Sequence, residues 1–166
     1  MKVDVSDILA YDGKDKLIEL DEIVGGLDTI SVDYVFEKVS IKAKLARAGD
    51  LINFDGRLRV DYSVKCARCL KEFSNKLDIE LSEEFRDAVK CDDKEVYAYE
   101  RKMINLDRFI IENVVLNLPI SQVCSEDCKG LCQECGCNLN KVKCDCKVEL
   151  EDSRLQLLKT FFTDDN

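Results

Sequence analysis

Residues 124–146 read CSEDCKGLCQECGCNLNKVKCDC and carry seven of the ten cysteines. This segment has little hydrophobic bulk, so it cannot build a core of its own, and a bound metal is the expected source of its order. Three close pairs of cysteines lie inside it and a fourth lies upstream: Cys124/Cys128, Cys132/Cys135, Cys144/Cys146 and Cys66/Cys69. Two close pairs complete one tetrahedral site, so the four pairs predict two structural zinc ions per chain.

The pair Cys132/Cys135 carries the most specific signal. Gly136 follows it and allows a turn at positive φ, so that backbone N–H groups can point at the sulfurs. We expect this pair to close one compact site with Cys144 and Cys146.

The upstream pair needs a distant partner. Cys66 and Cys69 lie between two predicted strands, and joining them to Cys124/Cys128 would staple the C-terminal segment to the sheet. The alternative is a contiguous site made of Cys124, Cys128, Cys132 and Cys135. Cys91 and Cys137 are left over, and we interpret them as thiols that are not ligands.

The chain contains no histidine. Ser-His-Asp and Cys-His nucleophiles are therefore excluded, and any zinc site has to use sulfur, with a carboxylate as an optional further ligand. A P-loop GxxxxGK[ST] sequence and a GxGxxG run are also missing. We therefore expect a protein that is not an enzyme and has no catalytic residues or small-molecule substrate.

Three acidic residues, Asp4, Asp7 and Asp12, interrupt the N-terminal segment too early for the apolar core of a signal peptide. Apolar stretches of the ~20 residues needed to span a membrane are absent from the sequence. The prediction is a cytoplasmic protein with reduced thiols, which favours metal binding over disulfides.

Alternating hydrophobic residues predict a sheet. The period of two runs through residues 29–46, 51–66 and 73–81, which gives three or four antiparallel strands with one wet face. A phase slip at Glu37-Lys38 predicts a bulge in the first of them, and Gly56 predicts a second bulge. Residues 47–50 read as the turn between two strands.

Two helices complete the predicted architecture. Residues 105–118 place Leu106, Phe109, Ile110, Val114 and Leu118 on one face, with Asn105 as N-cap and Pro119 as the stop; residues 152–162 form a C-terminal amphipathic helix. The fold class is α+β: a partly closed, barrel-like antiparallel sheet with two helices and a cysteine-rich zinc-binding C-terminal segment. We divide it into a β-rich core, residues 1–122, and the zinc-binding segment with its helix, residues 123–166, packed on the core as one unit.

Charge is distributed unevenly. The net charge is −9, whereas residues 38–76 hold ten Lys or Arg and four Asp or Glu, a local +6. An acidic chain is a poor generic binder of nucleic acid, but a local basic face could contact phosphates. The candidate contacts are Lys42, Lys44, Arg57, Arg59, Lys65, Arg68 and Lys71. The competing interpretation is an ordinary solvated strand face.

Several motifs together resemble one known family. They are Cys66-Ala-Arg-Cys69-Leu70, Ile104-Asn-Leu106 with Leu118-Pro119, Cys128-Lys-Gly-Leu-Cys-Gln-Glu-Cys-Gly136, Asn138-Leu-Asn140, Cys144-Asp-Cys146 and Asp152-Ser-Arg154. Their order and content, across roughly residues 30–160, resemble the YceD family, the large ribosomal RNA subunit accumulation proteins. The resemblance implies a cytoplasmic role in accumulation or processing of large-subunit ribosomal RNA, without established catalysis.

We therefore expect a non-enzymatic factor of ribosome assembly, stabilised by structural zinc, whose partner is ribosomal RNA, a ribosomal protein or another assembly factor of the large subunit. One alternative is a redox-sensing chaperone, because thiolate zinc centres can be oxidised and eject their metal. A zinc-ribbon module that binds nucleic acid is the other.

Overall fold

The computed structural model describes residues 1–11, 13–27, 33–90 and 97–146. In these ranges the order of elements is β1 (Lys2–Asp4), α1 (Ser6–Ala10), β2 (Asp15–Glu22), β3 (Tyr34–Ala48), β4 (Leu51–Lys65), β5 (Glu72–Asp87), a 3-10 turn (Ala88–Lys90), β6 (Tyr97–Glu100), β7 (Met103–Asn105) and α2 (Asp107–Asn117). The strands form one sheet in the order β1-β7-β6-β5-β4-β3-β2, which curls into a half-barrel. The predicted helix over residues 152–162 lies outside the described residues.

Three long strands, β3, β4 and β5, make the frame of the sheet. They pair antiparallel, and the turn predicted at residues 47–50 joins the first two, with Gly49 at φ 64°. The predicted bulge is confirmed, because the register of β3 shifts between Phe36 and Lys38. On either side of this shift the alternation keeps apolar side chains on the buried face.

The predicted bulge at Gly56 is wrong, because the register passes through this residue unbroken, with Ala43 directly opposite. A Cβ at Gly56 would lie 2.4 Å from the Ala43 Cβ and 2.5 Å from the Lys42 carbonyl oxygen. The glycine therefore lets the two strands approach closely, as a sharp bend of a curled sheet requires.

The prediction of a purely antiparallel sheet is also wrong. Strands β5 and β6 run parallel, with Phe85 opposite Tyr97 and Asp87 opposite Tyr99. The aromatic side chains explain this pairing: the rings of Phe85 and Tyr97 lie 5.6 Å apart, and each also contacts Phe109 of α2. A parallel partner places both rings over the helix, where burial of aromatic surface stabilises the arrangement.

Helix α2 packs against the sheet through the residues that its pattern predicts. Phe109, Ile110 and Val114 are buried, and the Phe109 ring meets Phe54 of β4 edge-on at 5.2 Å between centroids. The helix begins at Asp107, two residues later than predicted, and the Asn105 side chain accepts the Asp107 N–H at 3.1 Å. The second described α-helix is the short α1.

No helix within the described ranges is long and apolar enough to cross a membrane.

Candidate metal centres

The structure brings eight cysteines together in two groups of four. The first, which we name the inner cysteine group, contains Cys66, Cys69, Cys124 and Cys128; the second, the outer cysteine group, contains Cys132, Cys135, Cys144 and Cys146. Within each group the four sulfurs lie within 4.8 Å of one another. This grouping is the first of the two predicted above, rather than the contiguous alternative.

The inner cysteine group is built on a strand connection and a distant loop. Cys66 and Cys69 lie between β4 and β5, where the Leu70 N–H donates to the Cys66 carbonyl at 2.9 Å and closes a tight turn. Leu70 has a φ of 57°, a value that leucine rarely adopts. The turn holds both sulfurs on the side of the approaching segment that carries Cys124.

That segment is anchored by Gln122, a residue that belongs to none of the sequence motifs. Gln122 is 6% exposed, and its Nε2 donates to the Tyr62 hydroxyl at 2.8 Å. Its Oε1 accepts a bond from Asn75 at 3.3 Å, and its backbone carbonyl accepts the Ala67 N–H at 2.8 Å. These bonds tie the residues just before Cys124 to strands β4 and β5 and to the Cys66–Cys69 turn.

Backbone and side-chain N–H groups point at the inner sulfurs. The N–H groups of Arg68 and Cys124 each lie 3.4 Å from Cys66 Sγ, and the Asn140 amide lies 3.4 Å from Cys128 Sγ. Such donors stabilise thiolates and orient them as ligands. Cys66, Cys69 and Cys128 are also buried, so the group is shielded from solvent.

The outer cysteine group repeats the same turn in a more open setting. The Gly136 N–H donates to the Cys132 carbonyl at 2.9 Å, and Gly136 has a φ of 70°, as the sequence predicted. Cys144 Sγ lies 3.5 Å from both Cys132 Sγ and Cys135 Sγ. Cys135 and Cys146 are exposed, so here only Cys132 is buried.

Within each group the thiols cannot all ionise on their own. Burial raises the pKa of Cys66, but N–H groups led by that of Cys124 outweigh it and bring the pKa to about 6. Burial and the hydrogen bond with Cys69 raise the pKa of Cys124 to about 12. In the outer group, the Cys137 N–H lowers the pKa of Cys135 to about 6, and the Cys144 sulfur raises that of Cys146 to about 12. A divalent cation would let all four sulfurs of a group be thiolates.

The geometry fits such a cation. A zinc ion with four sulfurs at about 2.3 Å has sulfur–sulfur edges of about 3.8 Å. The sulfur–sulfur separations in the structure are 3.9 Å for Cys66–Cys128, 3.6 Å for Cys69–Cys124 and 3.5 Å for Cys135–Cys144. Four soft sulfur donors at these spacings suit zinc, and iron is the other metal that such a set takes.

The two leftover cysteines differ in placement. Cys137 is half-buried, and its thiol hydrogen-bonds with Cys135 and Cys144, which raises the pKa of Cys137 to about 12. It stands beside the outer cysteine group without belonging to the four. Cys91 lies outside the described residues.

The predicted basic face is largely neutralised in the structure. Lys42 pairs with Glu19 at 2.5 Å, Lys44 with Asp15 at 2.5 Å, Arg57 with Glu80 at 2.6 Å and Arg59 with Asp78 at 3.0 Å. All these side chains are exposed, and together they form a ladder of ion pairs across β2, β3, β4 and β5. Sequence could not show this, because it depends on which residues stand opposite one another in the sheet.

The other three predicted cations lie at the inner cysteine group. Arg68 directs its guanidinium at the backbone carbonyls of Glu126 and Cys128, at 3.0 and 3.1 Å. Lys65 and Lys71 flank the Cys66–Cys69 turn and are exposed, and neither has an ion-pair partner among the described residues. This end of the β4–β5 hairpin therefore carries the unpaired positive charge of the predicted surface.

The class of protein defined by the fold is a curled mixed sheet joined to a cysteine-rich loop segment, with two groups of four cysteines that could each hold a metal ion. Comparison with known families names the group: the sequence profile of the large ribosomal RNA subunit accumulation protein YceD matches residues 54–162. The chain belongs to the YceD family.

Individual relatives agree with this family. A chloroplastic protein of Arabidopsis thaliana, named large ribosomal RNA subunit accumulation protein YCED homolog 1, is 43% identical over 64 residues, which cover 39% of this chain and 20% of the plant protein. An uncharacterized protein of Mycobacterium tuberculosis is 31% identical over 117 residues, which cover 67% of this chain and 56% of the relative. This chain thus spans between a fifth and just over half of these relatives. No solved structure matches it.

Proposed function

We propose that this protein is a non-catalytic factor in the accumulation of large-subunit ribosomal RNA, whose working surface is held in shape by two zinc ions. Membership of the YceD family is the single observation that carries the proposal, because the family takes its name from this role. The two cysteine groups support the zinc part of it, since their sulfur spacings fit tetrahedral zinc.

The zinc part is tested by metal content. Protein purified without chelator should contain about two zinc ions per chain, by elemental analysis. One zinc or none would contradict the two-site proposal, and iron in place of zinc would make the centres rubredoxin-like.

The contact surface that we propose is the end of the β4–β5 hairpin beside the inner cysteine group. Lys65 and Lys71 are exposed there, and the ion-pair ladder farther along the same hairpin leaves Arg57 and Arg59 with acidic partners. An exposed ion pair presents little net charge to a phosphate, whereas an unpaired lysine can release counterions on contact. A zinc ion in the inner group would keep these lysines preorganised for RNA or a partner protein of the large subunit.

A matched pair of variants tests this surface in cells that depend on the protein. Lys65→Gln with Lys71→Gln should lower the level of mature large-subunit RNA, whereas Arg57→Gln with Arg59→Gln, which removes the same charge from the ladder, should change it less. Zinc content and thermal unfolding serve as the folding controls. Equal effects of the two double variants on large-subunit RNA would show that the hairpin end is not the contact surface. If deletion of the whole protein left the level of large-subunit RNA unchanged, the proposed role would be wrong.

The redox-sensing chaperone is a second candidate, favoured by the exposure of Cys135 and Cys146. Exposed thiolates are the ones that peroxide reaches first. Under this function, peroxide would release zinc from the outer cysteine group and the oxidised protein would suppress aggregation of an unfolded client. Zinc release without any gain of such activity would exclude it.

A further inference from the structure

The side chain of Asn140 connects the two cysteine groups. By position, Asn140 belongs to the loop between Cys135 and Cys144 of the outer group, yet its Nδ2 lies 3.4 Å from Cys128 Sγ of the inner group. Its Oδ1 accepts the Lys129 N–H at 2.8 Å. That second bond sets the orientation of the amide, because only the oxygen can accept from an N–H. The nitrogen is therefore aimed at the sulfur.

The outer loop holds Asn140 in this position. The Asn138 Oδ1 accepts both the backbone N–H and the side-chain amide of Asn140, each at 2.9 Å. The Leu139 N–H donates to the Gly130 carbonyl at 3.0 Å. Because the loop is closed at its two ends by sulfurs of the outer group, a metal bound there would restrict the loop to this conformation.

The short link between the groups is equally constrained. The Leu131 N–H donates to the Arg68 carbonyl at 3.1 Å, and the Leu131 side chain packs against the inner cysteines. Gly130 has a φ of 76°, and a Cβ on it would stand 3.0 Å from the same Arg68 oxygen. A shift of the outer loop would therefore displace residues that contact the Cys66–Cys69 turn and Cys128.

We propose that Asn140 couples the two cysteine groups, so that a metal in the outer group strengthens metal binding in the inner group. The inference rests on the proposed function, in that both groups hold a metal. A donor already aimed at the Cys128 thiolate lowers the free energy of the metal-bound form, and a loose outer loop would have to order Asn140 first. By thermodynamic linkage the coupling is reciprocal: a metal in the inner group strengthens binding in the outer group by the same factor.

The expected size follows from the kind of contact. Loss of a partner that orients a metal ligand costs about 10–100-fold in affinity, so we expect coupling of about tenfold, at the lower end. Asn140 is a positioning residue here, since it acts through Cys128 and not on the metal itself.

Cobalt titration of the full, metal-stripped chain measures the coupling, because Co²⁺ in a four-sulfur site has a distinctive absorption. The intact chain gives the product of the two binding constants. In the double variant Cys144→Ser with Cys146→Ser, only the inner group can bind metal, and this variant gives the binding constant of the inner group in isolation. In the double variant Cys66→Ser with Cys69→Ser, only the outer group can bind metal. We expect the product for the intact chain to exceed the product of the two isolated constants by about tenfold.

The Asn140→Asp variant identifies the route. It keeps the acceptor for the Lys129 N–H and replaces the amide donor with a carboxylate oxygen. In this variant the product of the two binding constants should therefore be about equal to the product of the isolated constants. Lys141→Gln, an exposed neighbour on the same loop, is the matched control and should keep the excess. If the chain without Cys66 and Cys69 fails to fold, Asn140→Asp can be compared with and without Cys144 and Cys146: its effect should be large only when the outer group is intact.

The outcomes separate the inference from the proposed function. Failure of either group to bind metal would overturn both. If both groups bind metal and the product of their isolated binding constants equals the product for the intact chain, the coupling is wrong and the two metal sites remain. A tenfold excess that survives Asn140→Asp would overturn the role of Asn140.

Discussion

The two cysteine groups use the same turn and differ in what they join. In the inner group, Cys66 and Cys128 are 62 residues apart in the chain and Cys69 and Cys124 are 55 apart, and the sulfurs are mostly buried. In the outer group, Cys144 lies 12 residues from Cys132, and two of the four sulfurs are exposed.

Four bound sulfurs would therefore stabilise the fold in two ways, depending on how far apart in the chain they lie. Closing the longer loop costs the unfolded chain roughly 1.5 kcal/mol more entropy than closing the shorter one, so a link across it constrains the unfolded chain more. A metal in the inner group would therefore join the cysteine-rich segment to the sheet, whereas a metal in the outer group would act first on its own loop.

The largest loss of stability should come from removing one cysteine of the inner group. Cys66→Ser should remove one zinc and lower the free energy of unfolding by more than about 4 kcal/mol, a size typical of a lost metal. Hydrogen exchange should accelerate across residues 119–130. The matched variant Cys135→Ser, in the equivalent turn of the outer group, should affect mainly residues 131–146. If the two variants lost the same free energy of unfolding, the inner group would contribute no more to global stability than the outer group.

Acid should release both metals, and the outer one first. The pKa values of Cys66 and Cys135 are lowered to about 6, so their thiolates favour the folded chain at a pH above the unfolded value of about 8.5, and this contribution disappears as the pH falls through about 6. The inner sulfurs have more N–H donors and should keep their metal to lower pH. Each variant keeps one group: Cys135→Ser keeps the inner group and Cys66→Ser keeps the outer group. The zinc that each variant retains after equilibration at a series of pH values gives the midpoint of metal release for that group. An inner midpoint at the higher pH would contradict the order.

A medium effect is expected at the anchor of the inner group. Gln122→Ala removes the amide that donates to the buried Tyr62 hydroxyl and accepts from Asn75, so the free energy of unfolding should fall by about 1–3 kcal/mol. Gln133, between Cys132 and Cys135, is exposed, and Gln133→Ala should stay within about 0.5 kcal/mol of the parent. Urea unfolding of the zinc-loaded proteins measures both. A similar change in the two would show that Gln122 contributes no more than a surface residue.

The smallest effect concerns the two turns themselves. Leu70 and Gly136 have the same left-handed backbone, at φ 57° and 70°. Gly136→Ala should therefore destabilise the protein by about 1 kcal/mol, whereas Leu70→Gly should be neutral or stabilise it by less than about 1 kcal/mol. Thermal unfolding can resolve the two signs. A clear loss of stability in Leu70→Gly would mean that the leucine side chain, although 62% exposed, makes a stabilising contact.

The cysteine pairs and the long strands could be read from the sequence because their signals are local. Spacing alone puts two sulfurs beside each other, and a period of two assigns the buried face of β3 and β4. The phase slip at Glu37-Lys38 marks the register shift for the same reason.

Other features depend on contacts that spacing does not encode. The parallel pairing of β6 depends on aromatic packing with Phe109, and β6 itself has only four residues. The ion-pair ladder requires the strand register, so the seven predicted cations looked like one basic face. Gln122 and Asn140 are isolated polar residues whose roles appear only when distant segments meet. A glycine inside a strand pattern, such as Gly56, predicts a bulge and a close approach of two strands equally well, so only the structure separates the two.

The long separation within the inner group has a consequence for how the protein is made. A ribosome adds about 5–20 residues per second, so Cys66 and Cys69 leave the synthesis site roughly 3–12 seconds before Cys128 and Cys124 follow them. During that interval the nascent chain carries half of the inner cysteine group, at the connection between β4 and β5. The outer group, by contrast, is completed within a few seconds of its first cysteine. The inner cysteine group can therefore be completed only when a late segment of the chain reaches an early hairpin.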